Sequence, residues 1–244
     1  MAGKLQVGSV LWRGLKIYTR NFVPFSLLVT AMFAPLLAYT VVLLGSPPSE
    51  DSLFLWAVVM FFGGLALALP ASATVAHGTF KQLRGEPAGA LQSIVMGIKR
   101  LVPVLGVGAL ITMLVLLSLG AFLVPGIGLY VTYWLAVPVA VVEGNGVGAS
   151  MSRSDKLTHG SRMRIVVILT LLAVVNGTAA IGLYELFLGG ATVTSSGASA
   201  YLISFFVVTL LTMTLQAVVT TVAYHDLRRA KEGATVEDIA AIFD

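Results

Sequence analysis

Six apolar blocks alternate with polar stretches along the chain, at roughly 22–44, 53–76, 101–124, 126–142, 165–187 and 201–224. A helix that crosses a membrane needs about 20 mostly apolar residues. Five blocks meet that length and the one at 126–142 is shorter. The pattern predicts an all-α integral membrane protein with six transmembrane helices in three hairpins. If both termini lie inside, the inner segments hold Lys4, Arg13, Lys16, Arg20, Lys81, Arg84, Lys99, Arg100, Arg153, Lys156, Arg162, Arg164, Arg228, Arg229 and Lys231. The outer connections hold Glu50, Asp51 and Glu185, with no Lys or Arg. Cytoplasmic loops retain Lys and Arg, so this bias predicts an N-in, C-in orientation. One misplaced helix would scatter the charges to both sides.

Composition narrows the class. The chain is 57% hydrophobic and 11% charged, whereas soluble domains run near 25% charged. Its mean hydropathy is +0.95. A single membrane domain over 1–244 is expected, with no separate soluble catalytic domain. The formal net charge of +4 divides into +7 inside and −3 outside. A basic inner rim attracts anionic headgroups by about 1 kcal/mol per residue close to the surface, and the same residues serve topology. The absence of cysteine excludes disulfides, thiolate nucleophiles and Cys-ligated metals. The first block, Phe22 to Leu44, is too long for a cleaved signal's apolar region of about 7–15 residues, so it is expected to be a retained span.

The pieces follow in order. Residues 1–21 read as an interfacial helix, with Leu5, Leu11, Trp12, Leu15 and Tyr18 on one face and Lys4, Arg13, Lys16 and Arg20 opposite. Hairpin 1 covers 22–76, with Pro35 expected to kink its first span. Gly64, Ala68, Ser72 and Ala76 form a ridge at steps of four, the pattern that lets helices approach closely. An inner segment, 77–100, turns at Gly85-Glu86-Pro87, and 88–100 can form a second surface helix. Hairpin 2 covers 101–142, with Pro125-Gly126-Ile127-Gly128 as its tight outer turn and Pro138 in its second span. Inner residues 143–164 include a third surface helix. Hairpin 3 covers 165–224, with an outer loop from Gly189 to Ser199. The tail, 225–244, carries Thr235-Val236-Glu237-Asp238, a variant capping box, and Val236, Ile239, Ala240 and Phe243 share a face. Tyr39, Trp56, Tyr130, Tyr133, Trp134, Tyr184 and Tyr201 are expected near outer span ends. Trp12, Tyr18, Phe80 and Tyr224 are expected near the inner boundary.

A weak parallel repeat accompanies this plan. Val7-Gly8-Ser9, Arg13 and Lys16 match Val147-Gly148-Ala149, Arg153 and Lys156. Val75-Ala76, Phe80, Lys81 and Arg84 match Val222-Ala223, Leu227, Arg228 and Lys231, and Arg20-Asn21-Phe22-Val23-Pro24 resembles Lys99-Arg100-Leu101-Val102-Pro103. The unit is an inner amphipathic helix followed by a two-span hairpin, present three times.

One stretch carries a family likeness. Pro125-Gly126-Ile127, Trp134, Pro138, Val142-Glu143, Ala149, Arg153-Ser154, Leu157-Thr158, Gly160 and Arg164 occur in that order, and Tyr224-His225-Asp226-Leu227-Arg228-Arg229 comes later with Glu232-Gly233. Together they resemble the membrane domain of some glycerophosphoryl diester phosphodiesterases, also found in standalone prokaryotic proteins. The likeness implies a prokaryotic plasma-membrane bundle concerned with lipids. The soluble hydrolase of the fused members is not among these 244 residues, so phosphodiesterase activity is not expected.

Chemistry is sparse. The expected spans contain no Lys, Arg or Asp, and Glu185 lies near an outer end. Proton-driven pumps place ionisable groups inside the membrane, which argues against that class. Asn176 lies near the middle of span 5, and Thr209, Thr212, Gln216 and Thr220 form a stripe on span 6. They read either as interhelical hydrogen bonds or as a polar pathway. His77, His159 and His225 match no ligand spacing, so no catalytic residue, metal or cofactor is expected. Val147 to Arg164 is the best candidate working segment. Arg153, Lys156, Arg162 and Arg164, with Arg228, Arg229 and Lys231, are candidate ligands for lipid phosphate, since Arg offers phosphate a bidentate fork. The expectation is a non-enzymatic protein that meets anionic lipids at the inner leaflet, with no nucleic-acid partner. Two alternatives stay open: an oligomeric transporter or channel, and an anchor or assembly subunit for a soluble partner. Homo-oligomer formation also stays open.

Overall fold

Glycine, rather than hydropathy, decides where the long helices of this chain stop. The computed structural model describes residues 5–45, 50–86, 90–121, 123–189 and 195–233. Among them are ten helices and no strand: α1 (Val7–Arg20), α2 (Phe22–Leu44), α3 (Glu50–Leu83), α4 (Ala90–Lys99), α5 (Leu101–Ala121), α6 (Leu123–Tyr133), α7 (Ala136–Glu143), α8 (Val147–Thr158), α9 (Arg162–Leu188) and α10 (Ser195–Glu232). The apolar blocks at 53–76 and 201–224 are thus the middles of longer helices. α3 continues to a left-handed Gly85, and α10 to a left-handed Gly233 whose N–H returns to the Arg229 carbonyl at 3.1 Å. Glycine adopts this conformation without a Cβ penalty and closes helix C-termini. The tail helix expected around Val236 to Phe243 lies outside the described residues.

Among the described residues, five helical stretches are long and apolar enough to cross a membrane: Phe22–Leu43, Phe54–Leu83, Pro125–Glu143, Arg162–Leu188 and Ser199–Glu232. Val102–Val115, inside α5, is apolar over a shorter length. The element order places a short helix before each packed pair: α1 before α2 and α3, α4 before α5 and α6, α8 before α9 and α10. Helix α10 sits centrally, touching α1, α2, α3, α7, α8 and α9.

Several expectations are corrected. Pro125-Gly126 does not make the turn of hairpin 2, because α6 already begins at Leu123. Proline is tolerated there because first-turn N–H groups have no intrahelical acceptor. A separate break falls within the second span, at Trp134 and Leu135, between α6 and α7. Pro138 follows as the third residue of α7. The face drawn for α1 also splits. Leu5, Val10, Gly14 and Tyr18 are buried, while Trp12 (69% exposed) and Leu15 are exposed beside Lys16 and Arg20. The helix is therefore packed into the bundle on one side. Gly14 permits this, since a Cβ there would lie 2.8 Å from the Val219 side chain.

The ridge on α3 is only partly packed: Ala76 is buried and Ala68 lies against the core. Gly64 faces open space, and Ala68, Ser72 and Ala76 line a cavity. Close approach occurs elsewhere, at Gly78 against Phe25, Gly97 against Thr74 and Gly108 against Leu69.

Candidate functional site

The charged residues of several helices meet at one end of the bundle, where they largely satisfy one another. Glu143, at the end of α7, is the hub. Its carboxylate accepts from Tyr224 Oη at 2.9 Å, from Arg153 Nε at 3.1 Å and from Asn145 Nδ2 at 3.0 Å. Arg228 Nη1 donates to Tyr224 Oη at 2.9 Å and lies 3.8 Å from Glu143. Arg153 Nη2 also donates to Glu232 at 2.7 Å. Two carboxylates and two guanidiniums therefore close a neutral cluster joining α7, α8 and α10. Burial alone would weaken the hold of Arg153 on its proton. Hydrogen bonds and charge from Glu232 and Glu143 outweigh that and raise its pKa above the ordinary guanidinium range. A second link joins α1 to α10, where Arg13 Nη1 donates to Asp226 at 2.6 Å.

Helix α8 owes its position to the α6–α7 break. A helix interruption leaves backbone groups without intrahelical partners. Ser154 supplies them: its Oγ accepts the Leu135 N–H at 3.2 Å and donates to the Thr132 carbonyl at 2.8 Å. Thr158 Oγ1 donates to the same carbonyl at 3.2 Å. Ser150, Ser154, Leu157 and Thr158 are all buried. So α8, expected as a surface helix, packs its polar face inward to cap a broken neighbour.

The phosphate candidates fare differently from one another. Arg153 and Arg228 belong to the cluster. Arg162 pairs with Asp155. Lys231 Nζ donates to the carbonyls of Lys156 and His159 at 2.7 and 2.6 Å. Arg164 is half-buried, with one guanidinium nitrogen unpartnered among the described residues. Lys156 and Arg229 are exposed and have no ion-pair partner among the described residues. Lys16, Arg20 and Lys99, which were not singled out as phosphate ligands, share that state. Only packing reveals which cations remain free.

The intramembrane polar candidates do come together. Thr212 Oγ1 donates to Asn176 Oδ1 at 3.5 Å, the limit of a hydrogen bond. Gln216 Nε2 donates to Tyr130 Oη at 3.2 Å, and Thr220 Oγ1 to the Gln216 carbonyl at 2.7 Å. Two spaces adjoin them. A groove of about 370 Å³ between α6, α9 and α10 includes Asn176, Thr212, Gln216 and Tyr130. A chamber of about 260 Å³ lies among α3, α5, α6, α7 and α10. Tyr130 and Gln216 line both.

The sequence did not single out the chamber. Tyr130, Tyr133 and Trp134, expected near outer span ends, line it at the α6–α7 break. Trp134 is only 7% exposed, and its Nε1 has no partner among the described residues. No group of three or more metal-ligating side chains occurs among the described residues. No family model, curated protein or solved structure matches the chain.

Proposed function

We propose that this protein is a non-enzymatic, six-span protein of a prokaryotic plasma membrane, with both termini cytoplasmic, that engages anionic lipids at the inner leaflet. One observation carries the reading. At the charged end of the bundle, Lys16, Arg20, Lys99, Lys156 and Arg229 stay exposed and unpaired among the described residues, while the other described basic residues there mostly have polar partners. Trp12 and Leu15 are exposed on the same side of α1 as Lys16 and Arg20. An amphipathic aromatic beside free cations suits the headgroup level.

Likeness to the phosphodiesterase-type membrane domain belongs to this proposal. The residues quoted for it include Trp134, Glu143, Arg153, Ser154, Thr158, Tyr224 and Arg228, which build the helix break and its latch. In this reading Arg153 and Arg228 hold the bundle, and the exposed cations meet the lipid. The α5 segment completes the sixth span: its 21 residues extend about 31 Å, enough for a hydrocarbon core of about 30 Å.

Two experiments test this. The chain lacks cysteine, so single cysteines report topology cleanly. Asp51→Cys and Pro125→Cys should react with an impermeant reagent from outside, and Thr19→Cys only after permeabilisation. Labelling of Thr19→Cys in sealed cells would overturn the orientation. For lipid, the protein is extracted from mixed phosphatidylglycerol and phosphatidylcholine, and the retained lipids are counted. Changing Lys16, Arg20, Lys156 and Arg229 together to Gln should lower phosphatidylglycerol enrichment at least twofold. An unchanged ratio would retire the reading.

A further inference from the structure

We propose that the chamber among α3, α5, α6, α7 and α10 binds an uncharged amphiphile, whose acceptor oxygen takes the Trp134 Nε1–H and whose apolar body fills the remaining space. This site is separate from the basic rim. Buried donors in folded proteins are almost always paired. The Trp134 indole is buried, lines the chamber and has no partner within the described chain. No described residue supplies its partner, and a molecule in the chamber would.

The walls define the chemistry of that partner. No Asp, Glu, Lys, Arg or His lines the chamber, so a charged group entering it would lose water and meet no counter-charge. Ser72, Thr220 and Thr221 donate their hydroxyl protons to the carbonyls of Leu69, Gln216 and Ala217. Their oxygens keep lone pairs that can accept from a ligand hydroxyl. Apart from Thr112, Gln216 and the two tyrosines, the rest of the wall is apolar, including Leu69, Ile111, Val137 and Met213. One water could bridge the indole to these hydroxyls, and the titration below separates that outcome from an amphiphile. A wall with one polar edge matches a molecule with one polar end.

Room for it comes from the small residues of α3. Ala68, Ser72 and Ala76 present little bulk where a longer side chain would close the gap. Tyr130 and Gln216, joined by a hydrogen bond at 3.2 Å, border both this space and the groove beside α9.

Tryptophan fluorescence tests the site. The chain has three tryptophans, so Trp12→Phe combined with Trp56→Phe leaves Trp134 as sole emitter. This protein, in phosphatidylcholine vesicles, is titrated with octan-1-ol brominated at C2. Octanoate and octyl-trimethylammonium, brominated at the matching carbon, serve as charged comparators at equal bilayer mole fraction. The expected result is saturable quenching by the alcohol, at least threefold stronger than by either charged probe and reversed by unbrominated octanol. Thr112→Phe, which fills the chamber from α5, should weaken the apparent affinity for the alcohol about tenfold. Quenching that rises linearly and equally for all three probes means water or bulk bilayer only, and overturns the proposal. Should the Thr112→Phe protein fail to fold, reversal by unbrominated octanol decides alone. Loss of anionic lipid enrichment in the rim variant, with quenching intact, separates this site from the rim.

Discussion

Replacing Ser154 by Ala removes one oxygen, and the structure says what that oxygen holds. Ser154 is fully buried, and its hydroxyl serves two backbone groups freed by the α6–α7 break. The Thr132 carbonyl keeps a second donor in Thr158. The Leu135 N–H keeps nothing comparable. A buried donor left unsatisfied costs about 1–3 kcal/mol, and the lost bond to Thr132 adds a smaller amount. We expect Ser154→Ala to destabilise the bundle by about 2–3 kcal/mol. For a chain of this size each kcal/mol moves the melting midpoint by about 2–4 °C, which gives a drop of about 5–10 °C. The assay is thermal unfolding in mild detergent, followed by circular dichroism and tryptophan emission. Ser152→Ala is the control, since Ser152 is exposed on the same helix, and such changes stay within about 0.5 kcal/mol. Equal midpoints for the two variants would refute the reasoning, for the break would then not depend on α8.

The remaining expectations concern other contacts. Glu143→Gln leaves Arg153 and Arg228 with one carboxylate fewer. Breaking a buried pair costs about 3–5 kcal/mol, and partial exposure of Arg153 and Glu232 reduces this to about 2–3 kcal/mol. A double-mutant cycle with Arg153→Gln should show strong coupling; additive effects would count against the cluster. Gly14→Val should destabilise by about 1–3 kcal/mol through overpacking against Val219, and Val219→Ala should recover part of the loss in the same melting assay. Asn176→Leu should cost only about 0.6 kcal/mol, the average for interhelical hydrogen bonds in such bundles. It should also leave octanol quenching of Trp134 intact, because Asn176 lines the groove and not the chamber.

How far the sequence reached can be judged from particular residues. Composition and periodicity were enough for an all-helical chain with long apolar segments, because a 20-residue apolar run has few other stable forms. They also located the short helices that precede each pair, since amphipathic spacing is local. Helix ends were missed by up to eight residues at α10, because hydropathy reports where a helix meets lipid, whereas a left-handed glycine reports where its backbone stops. The stripe of Thr212, Gln216 and Thr220 was visible as helical spacing, but its partners Asn176 and Tyr130 stand 36 and 86 residues away. Only tertiary structure could pair them.

The same limit applies to charge. Counting Lys and Arg predicts which side they occupy, because translocation depends on their number and position. It does not show which ones are already held by Glu143, Glu232, Asp155 or Asp226, because those carboxylates arrive from other helices. The ridge at Gly64, Ala68, Ser72 and Ala76 makes the point in reverse. Small residues permit close contact or empty space with equal ease, and the placement of α5, α6, α7 and α10 left space along part of the ridge. The chain by itself determined helices, apolar length and charge bias, all of which are local properties. Packing alone decided the α6–α7 break, its Ser154 cap and the chamber beside Trp134, because each depends on which distant side chain fills or leaves a gap.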